Sequence, residues 1–220
     1  MSSEEPTASS ENPSYASRDQ MRALAHPLRI EIMDRVGRRG TARAADVAAD
    51  LGVPANSVSY HLRILARGGV IQEAPEAARD RRDRVWKLVQ TGFADHQDQR
   101  SDNDPHSRDA DYMAASGEMS LAAFEWMRSA WNAEVARAAT EGVLPEEGLG
   151  TLSATSLRLS IDQARELNRR IQGVIHEYDR LNRDEHGVDR PGDPDSEGQA
   201  STFRVMWAAV AERRSPDATP

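Results

Sequence analysis

The chain has 220 residues, a net charge of −8, an apolar fraction of 38% and no cysteine. The missing cysteine excludes disulfides, thiolate metal ligands and thiol-based sensing. No apolar run approaches the ~20 residues of a membrane-spanning helix, and the polar first residues lack the features of a secretory signal, so we expect a cytoplasmic protein.

Charge is distributed unevenly along the chain. Residues 20–90 hold 13 Arg and Lys against 8 Asp and Glu, a net charge of +5, and the remainder carries −13. A locally basic segment inside an acidic chain is typical of a domain that contacts nucleic-acid phosphates. Residues 20–90 are therefore the candidate functional segment.

The first 17 residues are polar and show no apolar periodicity, which predicts a disordered tail. Apolar side chains at three- and four-residue steps then predict one helix from about Gln20 to Val36. Leu24, Leu28, Ile32 and either Met33 or Val36 are expected to face inward from this helix.

A second, short helix is predicted over Ala44–Leu51, with Thr41 as a candidate N-cap. Gly52-Val53-Pro54 forms a tight turn, and another helix follows over Ala55–Arg67 until Gly68-Gly69 stops it. Two helices joined by a short turn that contains Gly make a helix-turn-helix, whose second helix normally lies in the DNA major groove.

This second helix has an apolar and a polar face. At about 100° per residue, Val58, Leu62 and Leu65 share the inward side. Side chains suited to reading base edges lie outward or flank that stripe. These candidates are Asn56, Ser57, Ser59, Tyr60, His61 and Arg63. For His61, a groove contact and a partly buried residue that maintains the helix-turn-helix geometry are equal alternatives.

A hairpin follows the second helix. Val70-Ile71-Gln72 begins a strand, Glu76–Asp83 forms a charged tip, and Arg84–Val89 returns, as in the wing of a winged helix. Arginines at this tip are placed to neutralise DNA phosphates, although a merely solvated charge is the alternative. They are Arg79, Arg81, Arg82 and Arg84.

Three stretches of this segment resemble the ArsR/SmtB family of bacterial winged-helix regulators: ALAHPLRI at Ala23–Ile30, VSYHLRIL at Val58–Leu65 and GGVI at Gly68–Ile71. The resemblance covers about Met21–Leu88. It implies a homodimer that binds an imperfect palindromic operator and usually represses transcription. It also implies that Ser59, Tyr60, His61 and Arg63 lie where the family contacts DNA.

Metal sensing, which many members of that family perform, is not expected for this chain. The family's thiol ligands are absent, and Asp46 and Asp50 have no nearby thiol or imidazole partners. The longer C-terminal segment resembles the extended, metal-independent branch. A group of Asp and His within residues 95–109 has the oxygen and imidazole ligands of a hard-metal site, but its spacing favours a solvated linker. We predict no metal and no cofactor.

Beyond the wing, an acidic linker is predicted over residues 94–117. Apolar spacing predicts a helix over Leu121–Ala139, and alternation predicts a strand over Ala154–Leu159. The β-branched, aromatic and apolar composition of Thr202–Val210 predicts a second strand. Between the strands, Ser160 and Gln163 have capping-box spacing at the start of a long amphipathic helix. The predicted organisation is a tail (1–17), a winged helix-turn-helix domain (18–93), the linker (94–117), a C-terminal dimerisation or regulatory domain (118–211) and a tail (212–220).

The predicted fold class is therefore mainly α with a small β component. A winged helix-turn-helix domain is followed by a mostly helical C-terminal domain with a short strand pair.

Apolar residues on more than one side of the 121–139 helix predict a dimer contact. The expected dimerisation residues are Leu24, Leu121, Phe124, Met127 and Trp131. Large aromatics at 126, 131, 178 and 207 either line a ligand pocket or fill a core or interface. We expect Leu121–Val210 to respond to an unknown small-molecule or protein effector, or else only to stabilise the dimer.

Catalytic signatures are missing from the sequence, including a cysteine nucleophile, a Gly-rich phosphate loop, HExxH and GxSxG. An enzyme is therefore not expected. The predicted function is a sequence-specific, DNA-binding transcription regulator, and the rival interpretation is a winged-helix module that binds protein rather than specific DNA.

Overall fold

The computed structural model describes residues 16–79, 83–90, 110–142, 150–181, 183–184, 187–190 and 202–212. Across these ranges the chain forms six α-helices and one three-stranded antiparallel sheet. The fold is mainly α with a small β component, as predicted. Contacts divide the chain into two units, Met1–Trp126 with Arg183–Arg190 and Met127–Asn182 with Pro191–Pro220.

The predicted first helix is two helices in the structure, α1 (Arg18–Leu24) and α2 (Pro27–Arg39). The prediction of a single helix is wrong because Pro27 lacks an N–H and disfavours a helical conformation in the residue before it. His26 is extended (φ −163°, ψ 128°), and its Nδ1 caps α2 by accepting a hydrogen bond from Leu28 N at 3.1 Å. Ser17, placed in the predicted tail, caps α1.

The helices α3 (Ala44–Leu51) and α4 (Ala55–Arg67) have the predicted bounds. Gly52 between them has a φ of 64°, in the left-handed region where other residues are strained. The predicted cap of α3 is wrong. Arg43 rather than Thr41 is the N-cap, and its backbone N–H donates to the Asp46 carboxylate at 3.1 Å.

The sheet contains β1 (Ala42–Arg43), β2 (Ile71–Glu73) and β3 (Val85–Leu88), in the order β1-β3-β2. β2 and β3 are the two strands of the predicted wing, joined through a short 3₁₀ turn at Pro75–Ala77. β1 adds a third strand, with Ala42 opposite Trp86. Because β1 has only two residues, it shows no periodicity and could not be predicted from the sequence.

The first unit has an apolar core built from α1 to α4, the sheet and the first part of α5 (Ala110–Glu141). Its fully buried side chains include Ile32, Val36, Val47, Val58, Leu62, Leu65 and Val70. Burial of one such side chain stabilises the fold by about 1.5–3 kcal/mol. Three of these side chains lie on α4 and thereby fix which face of that helix points outward.

The helix α5 begins at Ala110, so residues 110–117 of the predicted linker are helical. Tyr112 and Ala115 are three residues apart and are buried in one cluster with Ala16 and Met21. This cluster explains why the helix extends beyond the predicted start at Leu121 and why Ala16 is ordered next to the cap of α1.

The helix α6 (Ile161–Leu181) begins with the predicted capping box. Ser160 N donates to Gln163 Oε1 at 2.9 Å, and Gln163 N donates to Ser160 Oγ at 3.2 Å. The strands predicted over Ala154–Leu159 and Thr202–Val210 are wrong, because neither segment is a strand. A sequence suited to a strand forms one only where another strand pairs with it, and no described strand pairs with these segments.

Candidate nucleic-acid interface

The helix α4 presents a polar outer face because its apolar stripe is buried. Val58, Leu62 and Leu65 have no exposed surface, which confirms the predicted inward face. On the other side, Tyr60 is 54% exposed, and Asn56 and Arg63 are also exposed. The face therefore offers a phenol, an amide and a guanidinium to a partner, three groups that can hydrogen-bond base edges.

The first two turns of α4 hold the two candidate serines, both half-buried. Ser59 Oγ donates to Ala55 O at 2.8 Å, and Ser57 N donates to Asn56 Oδ1 at 2.9 Å. Reaching a base edge would require Ser59 and Asn56 to exchange these local hydrogen bonds for new ones. Both groups lie at the end of α4 that enters the groove in a helix-turn-helix.

His61 differs from the other candidates because it is buried, with 9% exposure. Its ring lies 5.0 Å from the ring of His26 and 5.3 Å from that of Tyr60, centroid to centroid. Burial lowers the pKa of His61, and the nearby His26 and Arg29 lower it further. Of the two alternatives for His61, its burial against Tyr60 favours the residue that maintains the helix-turn-helix geometry.

His26 connects the start of α2 to this same place on α4. Burial lowers its pKa, with a further contribution from the positive charge of Arg29. The Arg29 Nε donates to Ala23 O, and its Nη2 donates to Arg22 O at 3.3 Å. Arg29 therefore ties α2 to the end of α1 while its charge disfavours protonation of both imidazoles.

The end of α4 is held by α1. A Cβ added at Gly68 would lie 2.3 Å from the Ala23 Cβ and 3.0 Å from Asp19 O, so only glycine fits this contact. Gln20 Nε2 donates to Gly69 O at 2.9 Å. These contacts, together with the buried stripe, fix α4 along its length.

Carboxylates lie beside two cations in the described part of the wing. Arg84 lies 3.6 Å from a Glu73 carboxylate oxygen, and Lys87 lies 2.6 Å from one of Glu76. Arg79 is exposed. The remaining predicted wing contacts, Arg81 and Arg82, lie outside the described residues. Carboxylates therefore compensate part of the positive charge near α4.

An open cleft lies between α4 and β3 that the sequence did not indicate. Its volume is about 580 Å³, and it is lined by Tyr60, Arg63, Ala66, Arg67 and Trp86. Trp86 is 6% exposed and forms its floor. Arg67 falls on the outward stripe of α4 but was not among the predicted contacts. Trp86 was missed because its position beside the cleft depends on the register of β3.

Comparison with known proteins supports this geometry. Residues 24–73 match a family described as "Helix-turn-helix domain". The chain carries a helix-turn-helix domain. The match makes up less than a quarter of the sequence and includes α2, β1, α3, α4 and β2. No curated protein is significantly similar to the chain.

The two acids weighed as metal ligands in the helix-turn-helix domain form ion pairs. Asp46 is 2.8 Å from Arg43, and Asp50 is 2.6 Å from Arg39. The hydrogen bond from Arg43 lowers the pKa of Asp46 to about 2. In the part of the chain that the structure describes, no cluster of three or more His, Asp or Glu is arranged to hold a metal ion. The acidic cluster of residues 95–109 lies outside it.

The predicted dimer residues fall into two groups. Leu24 is 2% exposed because it packs in the domain's own core, which corrects its assignment to an interface. Leu121 and Phe124 are 68% and 48% exposed. Met127 and Trp131 are half-buried. Among the described helices, none is long and apolar enough to cross a bilayer.

Proposed function

We propose that this chain is a transcription regulator of the ArsR type that binds a specific DNA sequence through its helix-turn-helix domain. The single observation that carries the proposal is the fixed polar face of α4, exposed at Asn56, Tyr60 and Arg63. A helix held from behind by a core and from its end by α1 loses little conformational entropy on entering a groove. The protein proposed here acts on DNA in the cytoplasm.

The side chains on this face match known base-edge chemistry. Arg63 can donate twice to O6 and N7 of guanine, and Asn56 can pair with N6 and N7 of adenine. Ser57 and Ser59 supply short groups at the N-terminal end of the helix. Tyr60 adds a phenol above His61, whose proposed part is to support Tyr60 from below rather than to touch a base.

Phosphate contacts are assigned to the wing. Arg79, Arg81, Arg82 and Arg84 are proposed to neutralise backbone phosphates and so to position the domain without reading sequence. Because Glu73 and Glu76 compensate nearby cations, the expected affinity is moderate. The phosphate contacts of the arginines make this affinity sensitive to salt.

The proposed regulator is a homodimer that represses from an imperfect palindromic operator. A two-fold protein matches a two-fold site. The exposed Leu121 and Phe124 on α5 support a second copy as partner, because large apolar side chains in solvent mark interaction surfaces. Met127 and Trp131 complete the proposed contact. A response of Leu121–Val210 to an effector stays a prediction.

The test is a selection of duplexes from a random-oligonucleotide pool at about 100 mM salt. Enrichment of one palindromic motif supports the regulator. Lack of enrichment overturns it in favour of a module that binds protein. On the selected duplex, Tyr60→Ala and Arg63→Ala are each expected to cost about 1–3 kcal/mol of binding free energy. Arg165→Ala on α6 is the matched control and should leave binding unchanged.

A further inference from the structure

The cleft between α4 and β3 adjoins the polar face of α4 that is proposed to read DNA bases, since Tyr60 and Arg63 belong to both. Arg67 lies one helical turn beyond Arg63, about 6 Å along the axis at 1.5 Å per residue. The cleft therefore continues from Arg63 toward the C-terminal end of α4.

The two guanidinium groups of the cleft have no carboxylate partner among the described residues. Arg63 Nε donates to Ser59 O at 3.2 Å, and Arg67 Nε donates to Arg63 O at 3.4 Å. Both bonds run along the helix to carbonyls that are already used by the helix backbone. The positive charges of Arg63 and Arg67 are thus available to an anion.

A second charged cavity in the domain provides the contrast. It has a volume of about 260 Å³ and is lined in part by Arg39, Arg43, Asp46 and Asp83. There Arg43 pairs with Asp46 at 2.8 Å and lies 3.7 Å from Asp83, and Arg39 pairs with Asp50. Its carboxylates compensate the cations, which leaves the α4–β3 cleft as the better anion site.

The floor of the cleft decides between a free anion and a nucleic-acid strand. Trp86 and Ala66 offer apolar surface beside the two guanidinium groups. A small inorganic anion gains nothing from such a floor, whereas a sugar-phosphate strand presents apolar sugar faces between its charges. An open cleft also admits a continuous strand, which an enclosed cavity would exclude.

We propose that Arg67 holds a phosphate of the DNA strand that borders the groove read by α4, with Ala66 and Trp86 against the adjoining sugar. This proposal rests on the proposed function. It assigns different roles to residues on neighbouring turns of α4. Arg63 reads a base and sets sequence preference. Arg67 contributes affinity that is independent of sequence.

The experiment measures the affinity of the full chain for the selected operator and for a scrambled duplex of equal length, each across a salt series. The variants are Arg67→Ala, Arg67→Lys, Arg63→Ala and the control Arg165→Ala. We expect R67A to weaken both duplexes by the same factor, about tenfold, and to lower the slope of log affinity against log salt by about 1. R67K should keep most of the slope, and R63A should lower mainly the preference for the operator.

A further variant places a negative charge on the cleft floor. Ala66→Glu should weaken both duplexes equally, with an unchanged circular-dichroism spectrum as evidence of folding. The proposal is overturned if R67A keeps the wild-type salt slope, or if R67A loses affinity for the operator alone. Failure of the wild-type chain to bind any duplex would instead refute the proposed function. The wild-type measurement precedes the comparison of variants, so the two failures are distinguishable.

Discussion

The helix-turn-helix domain buries its apolar side chains, whereas α6 leaves its own in solvent. On α4, Val58, Leu62 and Leu65 have no exposed surface. On α6, Ile161 is 73% and Tyr178 is 67% exposed, although both helices have a pronounced apolar side. An amphipathic helix gains little stability from an apolar face that nothing covers. Among the described residues, the domain therefore closes its apolar core, whereas the apolar side of α6 is exposed.

The largest expected effect tests whether the two apolar faces differ in energy as they do in exposure. Leu62→Ala removes a fully buried side chain and should lower the free energy of unfolding by about 2–5 kcal/mol. Ile161→Ala on α6 should change it by less than about 0.5 kcal/mol in dilute protein. Urea unfolding followed by circular dichroism measures both. Equal losses in the two variants would contradict the comparison.

A second prediction identifies what covers the exposed residues of α5. Phe124→Asp places a charge in the proposed dimer contact and should shift the protein from dimer to monomer at micromolar concentration, because an unpaired charge at an interface is costly. Light scattering coupled to size exclusion measures the mass. Glu125→Asp, next to it on α5, is the control and should remain dimeric. A wild-type chain that is monomeric would remove the second copy as the partner.

Sequence patterns predicted the helix-turn-helix domain well because its signals are local. Periodic apolar residues, Pro54 and Gly68 together determine the bounds of α4. The break between α1 and α2 could have been predicted from Pro27. It was not, because the apolar periodicity continues across the break. His61 was ambiguous because it lies at the edge of the buried stripe, where a few degrees of rotation decide exposure. The cleft depends on contacts distant in sequence and was out of reach.

The segments beyond residue 150 show the limit of pattern reading. Alternation over Ala154–Leu159 and β-branched, aromatic composition over Thr202–Val210 both favour strands, but neither signal supplies a strand to pair with. The capping box at Ser160 was predicted correctly because both of its hydrogen bonds form within four residues. Features that depend on neighbouring residues, such as helix caps, can be predicted from the sequence both in the helix-turn-helix domain and beyond residue 150. Features that depend on distant residues, such as strand pairing, cannot.

A third prediction uses one glycine from each region. Gly68→Ala brings a Cβ to 2.3 Å from Ala23 and should destabilise the domain by about 1–3 kcal/mol, since α1 must move away. Gly173→Ala, inside α6, meets no atom within 4 Å and should stabilise that helix by up to about 1 kcal/mol. Opposite signs in thermal unfolding would sharpen the contrast between a packed and an open helix. A neutral G68A would mean that α1 does not press on α4.

The smallest expected effect is a pH dependence confined to the helix-turn-helix domain. The pKa values of His26 and His61 are lowered from 6.5, first by burial and then by neighbouring positive charge. The unfolded chain therefore binds protons more readily than the folded one. The stability of the domain should be fully present above pH 6.5 and should fall as the pH drops through 6.5 toward the lowered values.

A double variant isolates this contribution. His26→Gln with His61→Leu removes both imidazoles, so the loss of unfolding free energy between pH 7.5 and 5.5 should become smaller than in the wild type. Asp46→Asn is the matched control, because the pKa of Asp46 is lowered to about 2 and its stabilising pair with Arg43 is lost only as the pH falls below about 4. D46N should keep the wild-type loss between pH 7.5 and 5.5. If the histidine variant shows the same loss of unfolding free energy, protonation of His26 and His61 is not coupled to folding.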